Sequence, residues 1–202
     1  MITIIDYGLG NLLSIQNMLK QIGLKSLITE DLDIISNASN LILPGVGNFQ
    51  KGMENIKKKK IDISIFKALK NNASILGICL GMHLLCNRSD EGNCEGLSII
   101  NGEVKKFEFD NNSYKVPHMG WNTIEFEENS FFFNKFNQKP KFYFAHSFYL
   151  KTNEKLVSTG NTHHGFKFTT VVEKKKVIGV QFHPEKSHNY GINFFKLFYL
   201  KK

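Results

Sequence analysis

Cys79 lies in a segment whose composition suits a nucleophile, Gly77-Ile78-Cys79-Leu80-Gly81. The apolar residues before it predict a buried strand and those after it a helix, so Cys79 falls on the turn between them. A nucleophile on such a turn projects out of the sheet, and flanking glycines let the backbone bend and other groups approach. The helix N-terminus favours a thiolate, and the N–H of Leu80 can stabilise an oxyanion. A buried cysteine that only packs as a small apolar side chain is the open alternative.

A histidine and a carboxylate follow the last predicted strand, in Gln181-Phe182-His183-Pro184-Glu185. In an extended chain, residues two apart point to the same side, so we expect His183 and Glu185 to share a face. The carboxylate would fix the imidazole tautomer, and the imidazole would take the proton of a thiol. Cys79, His183 and Glu185 would then form a nucleophile, a base and an orienting group at the C-terminal edge of the sheet, where open α/β sheets bind ligands. Alone, a His-x-Glu sequence indicates little, because such pairs are frequent on protein surfaces.

A glycine-containing turn, Leu43-Pro44-Gly45-Val46-Gly47, follows another apolar segment. Its two glycines allow a peptide unit to turn an N–H toward an anion, although an ordinary turn at the end of a strand is the alternative. Neither GxGxxG nor GxxxxGK[ST] occurs in the chain, so we predict no nucleotide cofactor.

Short apolar segments alternate with helical patterns in the first half of the chain. The predicted strands are Ile2–Ile5, Leu24–Ile28, Leu41–Leu43 and Ser74–Ile78. The predicted helices are one with Leu12, Ile15, Leu19 and Ile22 on one face, closed by Gly23, and one over about Asp62–Lys70. This alternation is typical of a parallel sheet that is covered on both faces.

The composition of the sequence changes from about residue 97. Aromatic and β-branched residues become frequent there and predict mixed or antiparallel strands. These segments are Gly102–Phe109, Lys141–Tyr149 and Phe166–Glu173, followed by a strand over Val177–Phe182 and a helix from about Tyr190 to Leu200. We therefore predict an α/β fold, an open, mostly parallel twisted sheet with helices on both faces and an antiparallel strand extension. With neither a linker nor an internal repeat in the sequence, residues 1–202 are expected to form one domain.

The net charge of +8 is compatible with nucleic-acid binding, but the composition argues against that function. Of the 26 basic residues, only Arg88 is an arginine, and guanidinium groups make most bidentate contacts to phosphate and guanine. We expect the clusters Lys57–Lys60 and Lys174–Lys176 to form solvated faces or a surface for a protein partner.

The remaining composition excludes other classes of protein. No apolar run approaches the roughly 18–20 residues of a membrane-spanning helix, and the chain opens as a strand without a signal-peptide pattern. The three cysteines are odd in number and lack a CxxC pair, which favours a reducing compartment over disulfides or structural zinc. His163 and His164 would point apart on a strand, so we predict no metal site there. We expect a cytoplasmic protein without metal, membrane or nucleic-acid binding.

Taken together, these segments resemble the class I (triad-type) glutamine amidotransferases and, within them, the glutaminase subunits of imidazole glycerol phosphate synthase. The matching segments run from end to end: Asp6–Leu12, Leu43–Gly47, Gly77–Leu85, Lys115–Asn122, Tyr143–Ser147 and Gly179–Ser187. The segments around Cys79 and His183 are shared by many amidotransferases. The KVPHMGWN and HPEKS stretches narrow the resemblance to the subunit family.

The resemblance implies that the chain hydrolyses glutamine to glutamate and ammonia through a thioester on Cys79. The ammonia would pass through a protein channel to a separate (β/α)8-barrel synthase subunit in a heterodimer. That subunit would form imidazole glycerol phosphate and aminoimidazole carboxamide ribotide in histidine biosynthesis. No cofactor is implied. Since a glutaminase that runs alone wastes substrate, we expect low activity without the partner, with the Gly45–Gly47 peptides turning to complete the oxyanion hole.

The matching motifs also imply roles for single residues. Cys79, His183 and Glu185 would be catalytic, and Gly45, Val46, Gly47 and Leu80 would form the oxyanion hole. Glu91 would bind the α-amino group of glutamine, and His146, Ser147 and Phe148 would hold the substrate through the main chain. The surface toward the synthase subunit would include Asn11, Tyr143 and Lys186.

The sequence departs from the family pattern near the nucleophile. His83 stands where the family usually has a glutamine whose amide helps to bind the substrate. A neutral imidazole can donate one hydrogen bond and accept one, so His83 can still bind substrate with changed geometry, or it can be an ordinary helix residue near the site. Leu97-Ser98 replaces the usual Leu-Gly, and nothing in the sequence explains it.

Three other functions remain open from the sequence. The same glutaminase chemistry would serve a paralogue that supplies ammonia for amidation of a bacterial surface-sugar precursor, since the acceptor site lies on the partner. A catalytically inactive regulatory subunit would leave Cys79 unmodified by a glutamine-mimicking electrophile. A stand-alone cysteine hydrolase would act without a partner.

Overall fold

The computed structural model describes residues 1–110, 113–132, 135–136, 138–152 and 158–200. Its helices are α1 Leu12–Gln21, α2 Leu32–Ser36, α3 Phe49–Lys58, α4 Ile61–Lys70, α5 Leu80–Leu84 and α6 His188–Leu200, with a short 3-10 helix at Pro184–Lys186. Its strands are β1 Ile2–Ile5, β2 Ser26–Thr29, β3 Asn40–Leu43, β4 Ser74–Ile78, β5 Arg88–Ser89, β6 Cys94–Glu95, β7 Glu103–Lys106, β8 His118–Thr123, β9 Glu125–Phe126, β10 Lys141–His146, β11 Phe148–Lys151, β12 Ser158–His164, β13 Phe166–Lys174 and β14 Val177–Val180.

Five parallel strands form the centre of the main sheet, in the order β2-β1-β3-β4-β14. Apart from β2, these strands are almost entirely buried, because helices cover both faces. The register pairs Gly77 with Gly179 and Ile78 with Val180. The ends of β4 and β14 therefore lie side by side, which brings the residues after them together.

The two faces of the sheet bury different helices. Leu41 and Leu43 of β3 pack in a core with residues of α3, α4 and α5. Ile42, which points the other way, packs with residues of α1 and α6. The sheet with helices on both faces, predicted from the alternating pattern, is confirmed.

An antiparallel extension continues the main sheet beyond β14, through β13, β11 and β7, and confirms the second part of the fold prediction. The prediction of one strand over Lys141–Tyr149 is wrong in detail, because the chain breaks at Ser147. β10 pairs with β8 in a separate two-stranded sheet, whereas β11 pairs with β7 and β13 of the main sheet. This break brings the segment of residues 146–148 to the rim of the central sheet.

Local backbone geometry explains the other differences from the predicted elements. Gly23 has the left-handed conformation expected after a helix, with φ +79°. The N–H of Leu24 still donates to the carbonyl of Leu19, so β2 begins only at Ser26. α2 and α3 were not predicted; the side chains of Asp31 and Asn48 cap their N-termini.

None of the helices in the described part of the chain has the length and apolar character needed to cross a lipid bilayer.

Candidate active site

Cys79 occupies the tight turn between β4 and α5, with φ +51° and ψ −109°. Its N–H donates to the carbonyl of Val180, which ties the turn to β14. A Cβ on Gly81 would lie 1.8 Å from the carbonyl oxygen of Leu43, and one on Gly77 would lie 2.8 Å from the carbonyl oxygen of Gly81. Only glycines permit this turn, so the geometry predicted for the segment is present.

His183 and Glu185 form a buried pair beside this turn. The Nδ1 atom of His183 lies 2.8 Å from Oε1 of Glu185, and their side chains are 2% and 1% exposed. The two were expected to share a face of an extended chain, whereas Glu185 lies in the 3-10 helix. The two side chains still pair, because the carboxylate of Glu185 extends back along the turn to Nδ1 of His183. Its Oε2 atom has no hydrogen-bond partner among the residues that the structure describes.

Electrostatics couple His183 to the thiol. Burial disfavours the imidazolium, but the charge and hydrogen bond of Cys79, together with those of Glu185, outweigh it and raise the pKa of His183 to about 10. Since Glu185 is buried with a single partner, the imidazolium supplies the counter-charge that its carboxylate needs. The three side chains predicted as a catalytic set therefore act on one another.

Residues from neighbouring elements support the turn that carries His183. The Oγ atom of Ser187 donates to the carbonyl of His183 at 2.6 Å and accepts from the N–H of Tyr143 at 3.0 Å. The N–H of His183 donates to the carbonyl of Tyr143. A Cβ on Gly191 would lie 1.8 Å from the carbonyl oxygen of Pro184, so α6 also packs directly on the turn.

A cavity of about 310 Å³ opens at Cys79 and His183. The predicted site residues that line it are Val46, Gly47, Leu80, His83, Glu91, His146, Ser147, Phe148 and Lys186. Gly45, Glu185, Asn11 and Tyr143 are not among its lining residues. Pro117, Met119 and Ala145 complete the wall; they lie within or next to the segments that carried the family resemblance, but no role was predicted for them.

Larger cavities elsewhere lack comparable chemistry. One of about 410 Å³ lies by Tyr190 and Lys196, and one of about 560 Å³ lies by Lys175 and Phe198. Neither has a cysteine or a histidine among its described lining residues. The cavity at Cys79 is therefore the best candidate for an active site.

The turn after β3 lies against the nucleophile segment. A Cβ on Gly45 would lie 2.6 Å from Cβ of Leu80, so this glycine allows a close approach and does not itself face the cavity. Gly47 has φ +128°, a conformation that only glycine adopts readily. The buried hydroxyl of Tyr7 donates to the carbonyl of Pro44 at 2.6 Å and holds the turn from the β1 side. The role of this turn as an oxyanion hole stays a prediction.

Glu91 and His83 bring polar atoms to the cavity. The Oε2 atom of Glu91 accepts from the N–H of Phe49 at 2.8 Å, which fixes a carboxylate that suits an ammonium group. The Nε2 atom of His83 lies 2.7 Å from Oε1 of Gln181. Burial lowers the pKa of His83 to about 4, only partly opposed by this hydrogen bond, so the imidazole is neutral.

A chain of neutral side chains holds the segment 146–148. Nδ1 of His146 lies 2.7 Å from the carbonyl oxygen of Phe148, which can only accept, so Nδ1 carries the proton. Nε2 of His146 then accepts from Nδ1 of His118 at 2.9 Å, and Nε2 of His118 accepts from Asn122 at 3.2 Å. Burial lowers the pKa of His118 to about 4 and that of His146 well below its usual value.

Two of the predicted partner residues lie together beside the cavity. The Nζ atom of Lys186 lies 5.9 Å from the ring centroid of Tyr143, and the exposed Trp121 packs edge-on against the same ring. Asn11 precedes α1, which packs against the 3-10 helix, and its side chain accepts from Ser14. Their role as an interface stays a prediction.

No group of metal-ligating side chains is found within the described residues. His163 and His164 follow one another on β12, as the sequence indicated, and Nε2 of His164 bonds to the carbonyl of Lys115.

Comparison with known proteins gives consistent matches. The model of the class-I glutamine amidotransferase family matches residues 3–202. The imidazole glycerol phosphate synthase subunit HisH 2 of Methanococcus maripaludis is 45% identical over 199 residues, and subunit HisH 1 of Campylobacter jejuni is 42% identical over 204 residues. In both cases 98% of each chain is covered.

Solved structures share the fold at low identity. A crystal structure of a glutamine amidotransferase has a TM-score of 0.75 at 15% identity and covers 98% of this chain and 97% of that one. The structure of PurLQS from Thermotoga maritima has a TM-score of 0.72 at 19% identity and covers 99% and 97%. These likenesses bear on the fold alone.

Proposed function

The chain belongs to the class-I glutamine amidotransferase family, and on this basis we propose that it hydrolyses glutamine to glutamate and ammonia through a thioester on Cys79. We propose further that it is the glutaminase subunit of an imidazole glycerol phosphate synthase. In that role it delivers ammonia through a channel to a (β/α)8-barrel subunit during histidine biosynthesis. Relatives that carry this subunit's name are 38% to 45% identical over nearly their full length.

One observation carries the proposal: the cavity of about 310 Å³ brings Cys79 and His183 together, with Glu185 bonded behind the imidazole. The fixed carboxylate of Glu91 suits the α-ammonium of an amino acid. The carboxamide of a bound glutamine would then lie next to the sulfur.

The first half of the reaction forms the thioester. The thiolate of Cys79 attacks the carboxamide carbon, and the N–H of Leu80 with the peptides of the Gly45–Gly47 turn stabilises the oxyanion. His183 gives its Nε2 proton to the leaving nitrogen, so that ammonia departs and a neutral imidazole remains. A pKa of about 10 keeps His183 protonated for this step at neutral pH.

The second half releases glutamate. The neutral His183 takes a proton from a water molecule, whose oxygen attacks the thioester carbon. The C–S bond breaks, glutamate leaves, and Cys79 returns as a thiolate beside the imidazolium. Glu185 keeps its hydrogen bond to Nδ1 of His183 and stabilises the charged ring.

Asn11, Tyr143 and Lys186 are proposed to contact the synthase subunit. Lys186 both lines the cavity and lies next to Tyr143, so this surface is continuous with the site where ammonia would form. A docked partner would seal this opening and prevent the loss of ammonia as ammonium.

Glutamate release tests the proposal. We expect the chain purified with a barrel synthase subunit to hydrolyse glutamine faster when the acceptor substrate is present than when the chain is alone. Cys79→Ser should lower the rate on the order of 10⁴-fold, whereas Cys94→Ser, a partly exposed cysteine that does not line the cavity, should leave it unchanged. Equal turnover alone and in the complex would overturn the gating of the Gly45–Gly47 turn, and no turnover in either would overturn the function.

A second candidate function differs only in the molecule that accepts the ammonia. Methanococcus maripaludis has two relatives, numbered HisH 1 and HisH 2, and this chain is 41% and 45% identical to them. Two such subunits in one organism favour separate partners, one of which can be an enzyme that amidates a surface sugar. Pairing the chain with each candidate partner and measuring acceptor-dependent glutamate release decides between them.

We also propose that residues 1–202 act as one amidotransferase domain in the cytoplasm, which is supported by three free cysteines. A glutamine-mimicking electrophile should label Cys79. If Cys79 stays unlabelled while glutamine turnover is absent, the chain is an inactive regulatory subunit instead.

A further inference from the structure

Gln181 is a fully buried amide that lies between His83 and Cys79. Its Oε1 atom is 2.7 Å from Nε2 of His83, and its Nε2 atom is 3.8 Å from Sγ of Cys79. Gln181 is not among the described residues that line the cavity, whereas Cys79 and His83 are. It therefore contacts the sulfur from the protein side, away from the substrate.

The tautomer of the neutral His83 ring and the contact with the sulfur of Cys79 together decide which way the Gln181 amide points. His83 is neutral at physiological pH because burial lowers its pKa to about 4. Its Nε2–H can donate to the carbonyl oxygen of Gln181, which leaves the amide N–H₂ facing the sulfur. The opposite orientation would place the carbonyl oxygen against a thiolate, which is electrostatically unfavourable.

The sheet register explains why these residues meet. Ile78 pairs with Val180, so Cys79 and Gln181 are the next residues along two neighbouring parallel strands. Gly179, two residues earlier on the same side, has no side chain to separate β14 from α5; a Cβ there would lie 2.5 Å from Cγ of Met82. His83, the next residue of α5, is thus held against Gln181.

We propose that Gln181 is a further catalytic residue that donates a hydrogen bond to Sγ of Cys79, and that His83 is a positioning residue that holds the Gln181 amide in the donating orientation. The inference rests on the proposed function and extends it. Gln181 transfers no proton; it stabilises the thiolate before attack and again when the C–S bond of the thioester breaks. His83 thereby has a role that does not require contact with glutamine.

Alkylation of Cys79 by iodoacetamide tests the inference, because only the thiolate reacts. The rate is measured from pH 5 to 10 on the full chain, peptide by peptide, for wild type and for Gln181→Leu, His83→Leu and His83→Gln. Cys94, which is partly exposed, reports the reagent, and Cys86, which is fully buried, reports unfolding.

We expect Gln181→Leu to move the pH midpoint of Cys79 alkylation upward by about one unit, a roughly tenfold loss of thiolate at a fixed pH below the midpoint. His83→Leu should move it in the same direction, and His83→Gln, whose amide can also donate to Gln181, should restore it. A packing role alone would not move the midpoint. If Cys86 is exposed in Gln181→Leu, the isosteric Gln181→Glu takes its place and should give a larger upward shift, since it replaces the donor by an acceptor.

An unchanged midpoint in the Gln181 variants, with Cys86 still protected, would overturn the inference. A shift for Gln181→Leu without one for His83→Leu would overturn the role of His83. In the complex, Gln181→Leu should lower kcat about tenfold and leave KM unchanged, because Gln181 does not face the substrate. Wild-type turnover with no variant effect contradicts only this inference, whereas a wild type without glutaminase activity contradicts the proposed function.

Discussion

At the scale of single residues, the site depends on a charge that is buried with one partner. Glu185 uses one carboxylate oxygen for His183, and its other oxygen has no hydrogen-bond partner in the described part of the chain. Such a carboxylate is stabilised when the neighbouring ring is protonated. Although burial lowers the pKa of His183, Cys79 and then Glu185 raise it to about 10. The acid that the first half-reaction needs is thus supplied by the pairing of His183 with Cys79 and Glu185, which outweighs the opposing effect of burial.

Glu185→Gln should keep the shape of this pair and remove its charge. The pKa of His183 should fall, so the loss of activity on the alkaline side should begin at a lower pH, and kcat should drop on the order of 10²-fold. The pH–rate profile of glutamate release in the complex measures both effects. Glu95→Gln, at an exposed position in β6, is the matched control; an unshifted alkaline limb in Glu185→Gln would contradict the assigned role.

At the scale of elements, close approaches between loops and strands place the site. The Leu43–Gly47 turn reaches Leu80 through Gly45, and Tyr7 holds Pro44 from the neighbouring strand. Burial, together with the charge of Cys79, raises the pKa of Tyr7 far above its usual value. Its hydroxyl therefore remains a donor at every assay pH.

Tyr7→Phe should loosen this turn. The carbonyl of Pro44 would lose its hydrogen bond in a buried position, which should lower the free energy of unfolding by about 1–3 kcal/mol. Urea unfolding measures this change, and kcat should fall severalfold if the turn forms the oxyanion hole. Tyr114→Phe, at an exposed position, is the control. Full kcat with reduced stability would show that the turn has no part in catalysis.

Gly179→Ala tests the packing of α5 on β14. The new Cβ would meet Met82 at 2.5 Å and Cγ2 of Val172 at 2.9 Å, so we expect a loss of about 1–3 kcal/mol in the free energy of unfolding. Met82→Ala frees this space, and the double variant should be more stable than the sum of the two single changes by more than ~0.5 kcal/mol. Strict additivity in urea unfolding would show that the two residues do not compete for space.

At the scale of the whole molecule, neutral buried histidines make stability depend on pH. Burial lowers the pKa of His83 and of His118 to about 4, and that of His146 well below its usual value. The unfolded chain, with histidine pKa values near ~6.5, binds more protons than the folded chain between these values. Stability from these groups is full above about pH 6.5 and is lost as the pH falls toward 4.

Thermal unfolding should therefore show a falling Tm between about pH 6.5 and 4. His83→Gln should flatten this dependence, because a glutamine can keep the hydrogen bond to Gln181 and cannot be protonated. His163→Gln, at an exposed position of β12, should leave it unchanged. His183 acts in the opposite sense: its raised pKa contributes stability that is full below about pH 6.5 and is lost as the pH rises toward 10. Identical pH dependences for wild type and His83→Gln would contradict a buried neutral His83.

Much of the fold and the site followed from the sequence, because local patterns carry local information. Alternating apolar strands and helices determined the parallel sheet, and Gly77 and Gly81 marked the turn at Cys79, since no other residue fits there. The His-x-Glu pattern after the last predicted strand supplied His183 and Glu185, and motif resemblance then supplied most of the other residues of the cavity wall. Gly23 follows the end of α1 as predicted, because glycine adopts the left-handed backbone conformation after a helix without help from distant contacts.

The tertiary structure decided what depends on distant contacts. The strand breaks at Ser147 because the residues before it pair with β8 in one sheet and those after it pair with β7 in the other. His183 pairs with Glu185 through a 3-10 turn, whereas the sequence had predicted an extended chain. Gln181 carried no signal of its own, because an amide two residues before a histidine is unremarkable in sequence. Gln181 comes to lie between His83 and Cys79 only when β4 and β14 pair in register. The physical reason is that strand pairing sets which side chains meet, and the order of residues along the chain does not.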